Sequence, residues 1–368
     1  MILKKILDIN FFFIFITSLL CLIGAAALYS AGDGNLKPWA INHLIRFIIF
    51  LFLIIFIALI DIKYLYKYSY LIFILSLILL CSVQIIGTFG KGAERWINIF
   101  GLSLQPSEII KVTIILALAK YYNDLRFDRI GKIYNLFVPF LVIFIPFIFI
   151  VVQPDLGTSL TIILLGISIM FIAGVRIWKF VLGFLALLIS FPFLWSYIKP
   201  YQQRRILSFL NPESDPLNQG YQLIQSKIAL GSGAFNGKGF LKGTQSYLDY
   251  LPEKQTDFIF TLIGEEFGFI GTIFIILLFL ILILIAFYIH IKSTHIFGKI
   301  ISLGVAINLF ISVVTNIGMV SGLMPIVGTP LPLISYGGTA FLSTMISFGL
   351  LLNVEINCNS KMIKYAKY

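Results

Sequence analysis

The sequence has few charged residues for its length. Only 12% of its 368 residues are Asp, Glu, Lys or Arg, against about 25% in an average soluble domain. Hydrophobic residues make up 59%, and a water-soluble fold of this size could not cover so much apolar side chain. The composition therefore excludes a cytosolic enzyme, a disordered chain and a disulfide-stapled secreted domain.

Cysteine and histidine are also scarce, with three residues of each. Cys21, Cys81 and Cys358 lie in or beside apolar segments, and the sequence contains neither a CxxC pair nor a Cys/His cluster. The sequence therefore predicts neither a disulfide framework nor a zinc site.

Long apolar runs are what the sequence has in abundance. Most are about 17–25 residues long, enough for a helix to cross roughly 30 Å of hydrocarbon, and they lack the alternation of barrel strands. They predict an all-α polytopic membrane protein with about ten transmembrane helices, forming a single membrane domain over residues 1–368. The runs are 9–30, 43–60, 69–87, 106–122, 136–153, 157–174, 177–197, 258–289, 298–320 and 337–356.

The distribution of charge indicates how these helices are oriented. The net charge is +11, and more than half of the 27 Lys and Arg residues fall in short loops and tails that would share one side. Short basic loops stay in the cytoplasm, so we predict that both termini are cytoplasmic and that no nucleic acid is bound. Lys4, Lys5 and the first run are expected to form an uncleaved signal anchor.

One long polar segment, residues 198–257, separates the seventh and eighth runs on the predicted outer side. Apolar residues such as Tyr221, Ile224 and Phe235 are spread through it, so we expect a large ordered loop rather than disorder. The eighth run carries Glu265 and Glu266. Its first part is therefore expected at the outer surface rather than in lipid.

Two ionisable residues, Glu108 and Lys111, open the fourth run. Such residues at membrane depth are costly and usually functional. Their i, i+3 spacing puts them on one helical face, where they can pair. The pair could be a salt bridge that fixes helix packing, a polar wall of a substrate cavity, or both.

Charged residues near the outer interface give two weaker signals. Asp155 could cap the helix that begins at Gly157 or Thr158 or belong to a site. Arg95 follows Lys91 and Glu94, and these could be ordinary interfacial charges or a cationic clamp for a phosphate group.

Asp257 gives the most suggestive signal, because it lies where the polar segment meets the eighth apolar run. A carboxylate in a half-desolvated cleft is a candidate general base, and Lys254 is a neighbouring cation. The alternative is a helix N-cap provided by Thr256 or Asp257.

A cluster of prolines and glycines precedes the tenth run and predicts broken helix, which occurs at membrane depth where backbone lines a cavity. It is followed by Ser335, Gly337 and Gly338. Glycines at a helix start could present backbone amides to an anion.

Taken together, these motifs resemble the SEDS family of membrane proteins. The resemblance covers nearly the whole chain in order, and its motifs are long and specific. It is carried by GAERWINIFGLSLQPSEIIK at 92–111, QPDLGTS at 153–159, the stretch from NPESDP to TDFIF at 211–260, and IGMVSGLMPIVGTPLPLISYGG at 317–338. The NPESDP segment and the GTQS sequence at 243–246 are more similar to the elongation branch than to the division branch.

The resemblance implies a peptidoglycan glycosyltransferase that polymerises lipid II on the outer face of the bacterial inner membrane. The implied partners are a class B penicillin-binding protein, which is a transpeptidase, and other membrane proteins of the elongation complex. The essential aspartate of the family falls on Asp257, and its paired Glu and Lys fall on Glu108 and Lys111. One departure is Gln255, where many members have His, which casts doubt on a proton relay at that position.

Binding of lipid II requires cations for its pyrophosphate. Arg95, Lys111, Arg204 and Arg205 are the available ones. No cofactor is certain; a divalent cation could bridge the pyrophosphate and Asp155 or Asp257, although no ligand cluster demands it.

Two other classes of function fit the same composition. A transporter, specifically a lipid II flippase, would place its polar residues near the midplane, often in two related halves, whereas here they cluster at the outer interface. A scaffold that only holds partner proteins would not need a carboxylate at the border between loop and lipid.

Overall fold

A computed structural model describes residue 5 and residues 8–90, 93–99, 102–197, 200–215, 219–248, 250–251 and 253–358. A long helix lies at each of the ten apolar runs. These helices are α1 (Phe11–Ala31), α2 (Trp39–Leu59), α3 (Ile62–Ile86), α4 (Pro106–Asp124), α5 (Phe137–Val152), α6 (Leu156–Ile172), α7 (Ile177–Tyr197), α11 (Ile259–Lys292), α12 (Ile296–Ser321) and α13 (Gly338–Ile356). The predicted all-α fold is confirmed.

Among the described residues, seven helices are long and apolar enough to cross a membrane: α1, α2, α3, α5, α11, α12 and α13. Helices α6 and α7 are apolar but provide shorter spans. Helix α4 lies inside the bundle against α3, α5, α6, α12 and α13, and most of its side chains are buried. It can carry Glu108 and Lys111 because neighbouring helices, rather than lipid, surround it.

A small antiparallel sheet lies between α3 and α4. Its strands are β1 (Thr88–Gly90), β2 (Ala93–Ile99) and β3 (Leu102–Leu104), in the order β1-β2-β3. Ile97 pairs with Leu104 and Thr88 with Trp96. The sheet leads the chain directly into Gln105, which is the N-cap of α4.

The 198–257 segment is largely helical where it is described. It contains α8 (Pro200–Leu210), α9 (Gln219–Ser232) and the single turn α10 (Thr244–Tyr247). Helix α9 packs on α11 and α12, and the buried Ser226 Oγ lies 2.8 Å from Thr261 Oγ1 and 2.7 Å from the Val320 carbonyl, to which it donates. An ordered segment was expected, and its apolar residues explain it.

Helix α11 is kinked at Gly268, whose φ of 63° and ψ of −159° are not helical. A Cβ on Gly268 would lie 2.4 Å from the Gly237 nitrogen, so only glycine fits there. Before the kink, Glu265 and Glu266 are buried; beyond it, side chains such as Phe269 and Ile270 are exposed. The first part of α11 is therefore covered by protein, in keeping with the expectation that it does not face lipid.

Candidate active site

The ion pair between Glu108 and Lys111 is the centre of the candidate site. Lys111 Nζ lies 2.8 Å from Glu108 Oε1, and both residues are buried, with 6% and 7% of their surface exposed. Ser343 of α13 donates to Glu108 Oε2 over 3.2 Å. Both charges are thus paired, which is what makes their burial tolerable.

The same pair lines a small polar cleft with a volume of about 40 Å³. The pair joins two turns of α4 and also forms one wall of this cleft; that the cleft holds a substrate stays a prediction. The cleft is lined by Gln105, Glu108, Lys111, Thr158, Thr161, Asn308, Ser312, Gly328, Thr329, Pro330, Pro332, Ala340, Ser343 and Thr344.

Asp155 caps α6 and is held by further bonds. Its Oδ1 accepts from the Thr158 nitrogen at 3.2 Å and its Oδ2 from Gln105 Nε2 at 3.0 Å. Arg95 Nη1 lies 4.0 Å from Asp155 Oδ1, while Nε donates to the Gln153 carbonyl over 3.0 Å and Nη2 donates to the Pro154 carbonyl. The Arg95 guanidinium therefore fixes the turn before α6, and Lys91, grouped with it above, lies outside the described residues.

Asp257 lies at the rim of the cleft, just before α11. Phe258 is the N-cap of α11, so neither Thr256 nor Asp257 takes that position. A Cβ on Gly328 would lie 3.4 Å from Asp257 Oδ2, and Gly328 lines the cleft. Gly328 has φ of +73°, and this glycine lies between the Asp257 carboxylate and the cleft.

Three basic residues proposed from the sequence do not line this cleft. Lys254 Nζ lies 3.3 Å from Asp33 Oδ1, in the turn between α1 and α2. Arg204 and Arg205 lie on α8, and Arg205 lines a separate small pocket with Leu223 and Ile326. Lys254 was proposed as a neighbour of Asp257, and Arg204 and Arg205 as cations for the pyrophosphate; these roles stay predictions.

The broken segment before α13 holds the chain around Asp257 rather than presenting a free hydroxyl. Ser335 Oγ donates to the Thr256 carbonyl over 2.6 Å and accepts from the Leu331 nitrogen at 2.8 Å. Gly337 is the N-cap of α13, which begins at Gly338 as expected.

Sequence reasoning missed two residues beside these elements. The Arg46 guanidinium lies 4.8 Å from the centre of the Tyr336 ring and 3.4 Å from where a Cβ on Gly338 would lie. The sequence feature that could have pointed to Arg46 is a single charge inside the second apolar run.

Asn316 donates to two carbonyls around the site. The sequence feature that could have pointed to it is a polar stripe along the ninth run, at Asn308, Ser312, Thr315 and Asn316.

Within the described part of the chain, no group of three or more His, Cys, Asp or Glu residues is arranged to hold a metal ion. The chemistry that the geometry provides is a half-buried carboxylate, Asp257, at the rim of a cleft with a buried cation, Lys111. A carboxylate so placed can take a proton from a hydroxyl.

Comparison with known proteins identifies the family of the chain. The family model for FtsW, RodA and SpoVE, described as a cell cycle protein, matches residues 5–360. The chain belongs to this family. Among its members, peptidoglycan glycosyltransferase MrdB of Escherichia coli K12 is 41% identical over 285 residues, or 77% of this chain and 76% of MrdB. The probable peptidoglycan glycosyltransferase FtsW of Wigglesworthia glossinidia brevipalpis is 35% identical over 99% of this chain and 98% of that protein.

Solved structures show the same fold. A chain from a peptidoglycan synthase complex, solved to explain how polymerization and crosslinking are coordinated, matches with a TM-score of 0.83 at 27% identity, over 96% of this chain and 99% of that one. The rod shape determining protein RodA of Thermus thermophilus matches with a TM-score of 0.71 at 22% identity, over 96% and 98%. Seven helices in the described part of the chain are long and apolar enough to cross a membrane, and this member of the family is a multi-pass membrane protein.

Proposed function

We propose that this chain is a peptidoglycan glycosyltransferase that polymerises lipid II on the outer face of the bacterial inner membrane. The 41% identity to a relative named as such an enzyme supports the reaction class. The NPESDP segment favours a role in cell elongation and rod shape over the division role of FtsW.

One observation carries the proposal: the Asp257 carboxylate lies beside Gly328, which lines the same cleft as the buried Glu108–Lys111 pair. Lipid II joins a polyprenyl tail, a pyrophosphate and a sugar–peptide head. Such a substrate needs a polar cleft inside an apolar bundle, a cation for the pyrophosphate and a base for the sugar hydroxyl. Lys111 and Asp257 are proposed for the last two.

The proposed reaction is a single displacement. The acceptor hydroxyl gives its proton to the Asp257 carboxylate while its oxygen bonds to the anomeric carbon of the donor. The bond from that carbon to the pyrophosphate oxygen breaks, and the polyprenyl pyrophosphate leaves without needing an acid if a cation neutralises it. One carboxylate suffices, unlike the pair in glycoside hydrolases, and the anomeric configuration inverts.

A class B penicillin-binding protein is the proposed partner, together with other membrane proteins of the elongation complex. The structural similarity to a chain of a synthase complex that couples polymerization to crosslinking supports this partner. The short basic loops support cytoplasmic termini, which put the 198–257 segment and the cleft mouth outside.

The test is strand synthesis from lipid II by the purified chain together with its transpeptidase. Asp257→Asn keeps the size of the side chain but cannot accept the proton, so we expect a loss of about 10²–10⁴-fold. Asp128→Asn makes the same chemical change at an exposed residue and should leave synthesis unchanged.

Two results would contradict the proposal. Asp257→Asn activity within a few-fold of wild type would remove Asp257 as the base. A wild-type complex that moves lipid II across vesicles without making strands would identify a flippase instead.

A further inference from the structure

Asn316 is a buried residue of α12 that joins two parts of the site. Its residue surface is 0% exposed. Its side-chain Nδ2 donates to the Asp257 carbonyl over 2.9 Å and to the Thr329 carbonyl over 2.7 Å. Helix α12 also contributes Ser312 and Asn308, one and two turns earlier on the same face, to the wall of the cleft.

The two carbonyls belong to the two segments that meet at the rim. Asp257 carries the carboxylate, and Thr329 follows Gly328, where an added Cβ would lie 3.4 Å from Asp257 Oδ2. A single amide group therefore fixes the backbone of the carboxylate and the backbone that faces it. Moving one segment away from the other would require at least one of these bonds to break.

The chain before Asp257 is held in the same way. The Tyr336 nitrogen donates to the Gln255 carbonyl over 2.9 Å, and Ser335 Oγ donates to the Thr256 carbonyl over 2.6 Å. Three successive carbonyls, at 255, 256 and 257, thus each accept a bond from α12 or from the segment before α13. We call these three bonds the carbonyl cradle.

The cradle matters because Asp257 precedes the first residue of α11 and is not placed by helical geometry. A catalytic group needs to be held within about 0.5 Å of its productive position by its supporting residues. Buried hydrogen bonds to neighbouring backbone provide such support, since an unsatisfied carbonyl in this apolar surrounding would cost free energy.

We propose that Asn316 is a positioning residue for Asp257, acting through the backbone carbonyls of Asp257 and Thr329. The inference rests on the proposed function, in which Asp257 is the base. It predicts a specific loss: catalysis falls because the carboxylate is misplaced, while binding of lipid II, which depends on the rest of the cleft, is kept.

The deciding variant is Asn316→Leu, which keeps the approximate size of the side chain and removes both donors. The chain offers a matched control in Asn353 of α13. Asn353 is also 0% exposed, and its Nδ2 donates to the carbonyls of Ile57, Ala58 and Ile60. Asn353→Leu therefore removes the same kind of bond far along the bundle from Asp257.

Steady-state strand synthesis would be measured for both variants, Asp257→Asn and wild type, each with the transpeptidase, together with thermal unfolding in detergent. We expect Asn316→Leu to lower kcat about 10- to 100-fold, as a displacement of about 1 Å can, with KM for lipid II within about twofold of wild type. Asn353→Leu should lower thermal stability by a similar amount and keep kcat within about threefold. If Asn316→Leu does not purify folded, Asn316→Ser, which retains one shorter donor, is judged by the same kcat and KM criteria.

The possible failures are distinguishable. Equal kcat for the Asn316 and Asn353 variants, or a loss that appears only in KM, would overturn the positioning role while leaving the glycosyltransferase intact. Absence of strand synthesis by wild type, or full activity of Asp257→Asn, would overturn the proposed function and the inference with it.

Discussion

At the scale of single residues, Glu108 and Lys111 depend on each other. Lys111→Ala leaves the Glu108 carboxylate buried with only the Ser343 bond described for it, and breaking a buried pair costs about 3–5 kcal/mol. We expect each single alanine variant to lose thermal stability and strand synthesis. The double variant should lose less stability than the sum of the two losses, because it leaves no uncompensated charge.

A double-mutant cycle by thermal unfolding measures this coupling. Ser18→Ala, a half-buried hydroxyl on α1 that donates to the Ile14 carbonyl in its own helix, is a control for changes within the bundle. If the losses of thermal stability in the two single variants add up to the loss in the double variant, Glu108 and Lys111 are not coupled.

Some of these residues could be predicted from sequence and others could not. The i, i+3 spacing is enough to predict that Glu108 contacts Lys111. The position of Asp257 at the border between the polar segment and an apolar run is enough to propose it as a candidate base. The bond from Asn316 to the Asp257 carbonyl joins residues 59 positions apart, and only the packing of α11 against α12 brings them together. Whether Arg204 lines the cleft could not be predicted for the same reason, since tertiary structure decides which residues line it.

At the scale of elements, the start of α11 is fastened to the loop that covers it. Glu265 Oε1 accepts from Lys238 Nζ at 2.8 Å, from the Gln245 nitrogen at 2.9 Å and from Thr244 Oγ1 at 3.2 Å. The backbone nitrogens of Lys238 and Gly239 donate to the carbonyls of Glu265 and Glu266, each over 3.0 Å. The Glu265 carboxylate therefore joins α10, the turn that contains Lys238 and Gly239, and α11.

Glu265→Gln should loosen this loop. The amide can replace some of the accepted bonds but removes the charge that pairs with Lys238, and hydrogen bonds to charged groups contribute about 1.5–3 kcal/mol. We expect faster proteolysis within 238–248 and a lower unfolding temperature. Glu213→Gln, on an exposed glutamate of the same segment, is the control; equal protease resistance in the two variants would contradict the fastening role.

The elements themselves were largely predictable, because apolar runs of membrane-spanning length have few alternatives to helix. Two features were not. The sheet at 88–104 consists of short strands. Polar and apolar residues alternate in β2 only over Arg95, Trp96, Ile97 and Asn98, which is too short a run to predict a strand. The break in α11 depends on Gly268 approaching Gly237, a contact between distant parts of the chain.

At the scale of the whole molecule, polar and ionisable side chains lie inside the bundle, on and near the central helix α4. The surrounding helices expose apolar side chains, so that ionisable groups such as Glu108 can lie inside the bundle. The average hydropathy of α4 is too low to identify it as a span among the described residues, yet its enclosure by other helices explains why it tolerates this composition.

The orientation of the bundle can be tested directly, because the chain has only three cysteines to replace, Cys21, Cys81 and Cys358. In a cysteine-free background, Asn236→Cys would report on the 198–257 segment and Asp128→Cys on the turn after α4; both positions are exposed. If basic loops stay in the cytoplasm, a membrane-impermeant thiol reagent applied to spheroplasts should label Asn236→Cys at once. It should label Asp128→Cys only after the membrane is permeabilised.

As a control, strand synthesis is measured for each cysteine variant before labelling, because an active variant has kept its fold. The reverse labelling pattern would place the cleft mouth in the cytoplasm, where a polymerase acting on the outer face could not work.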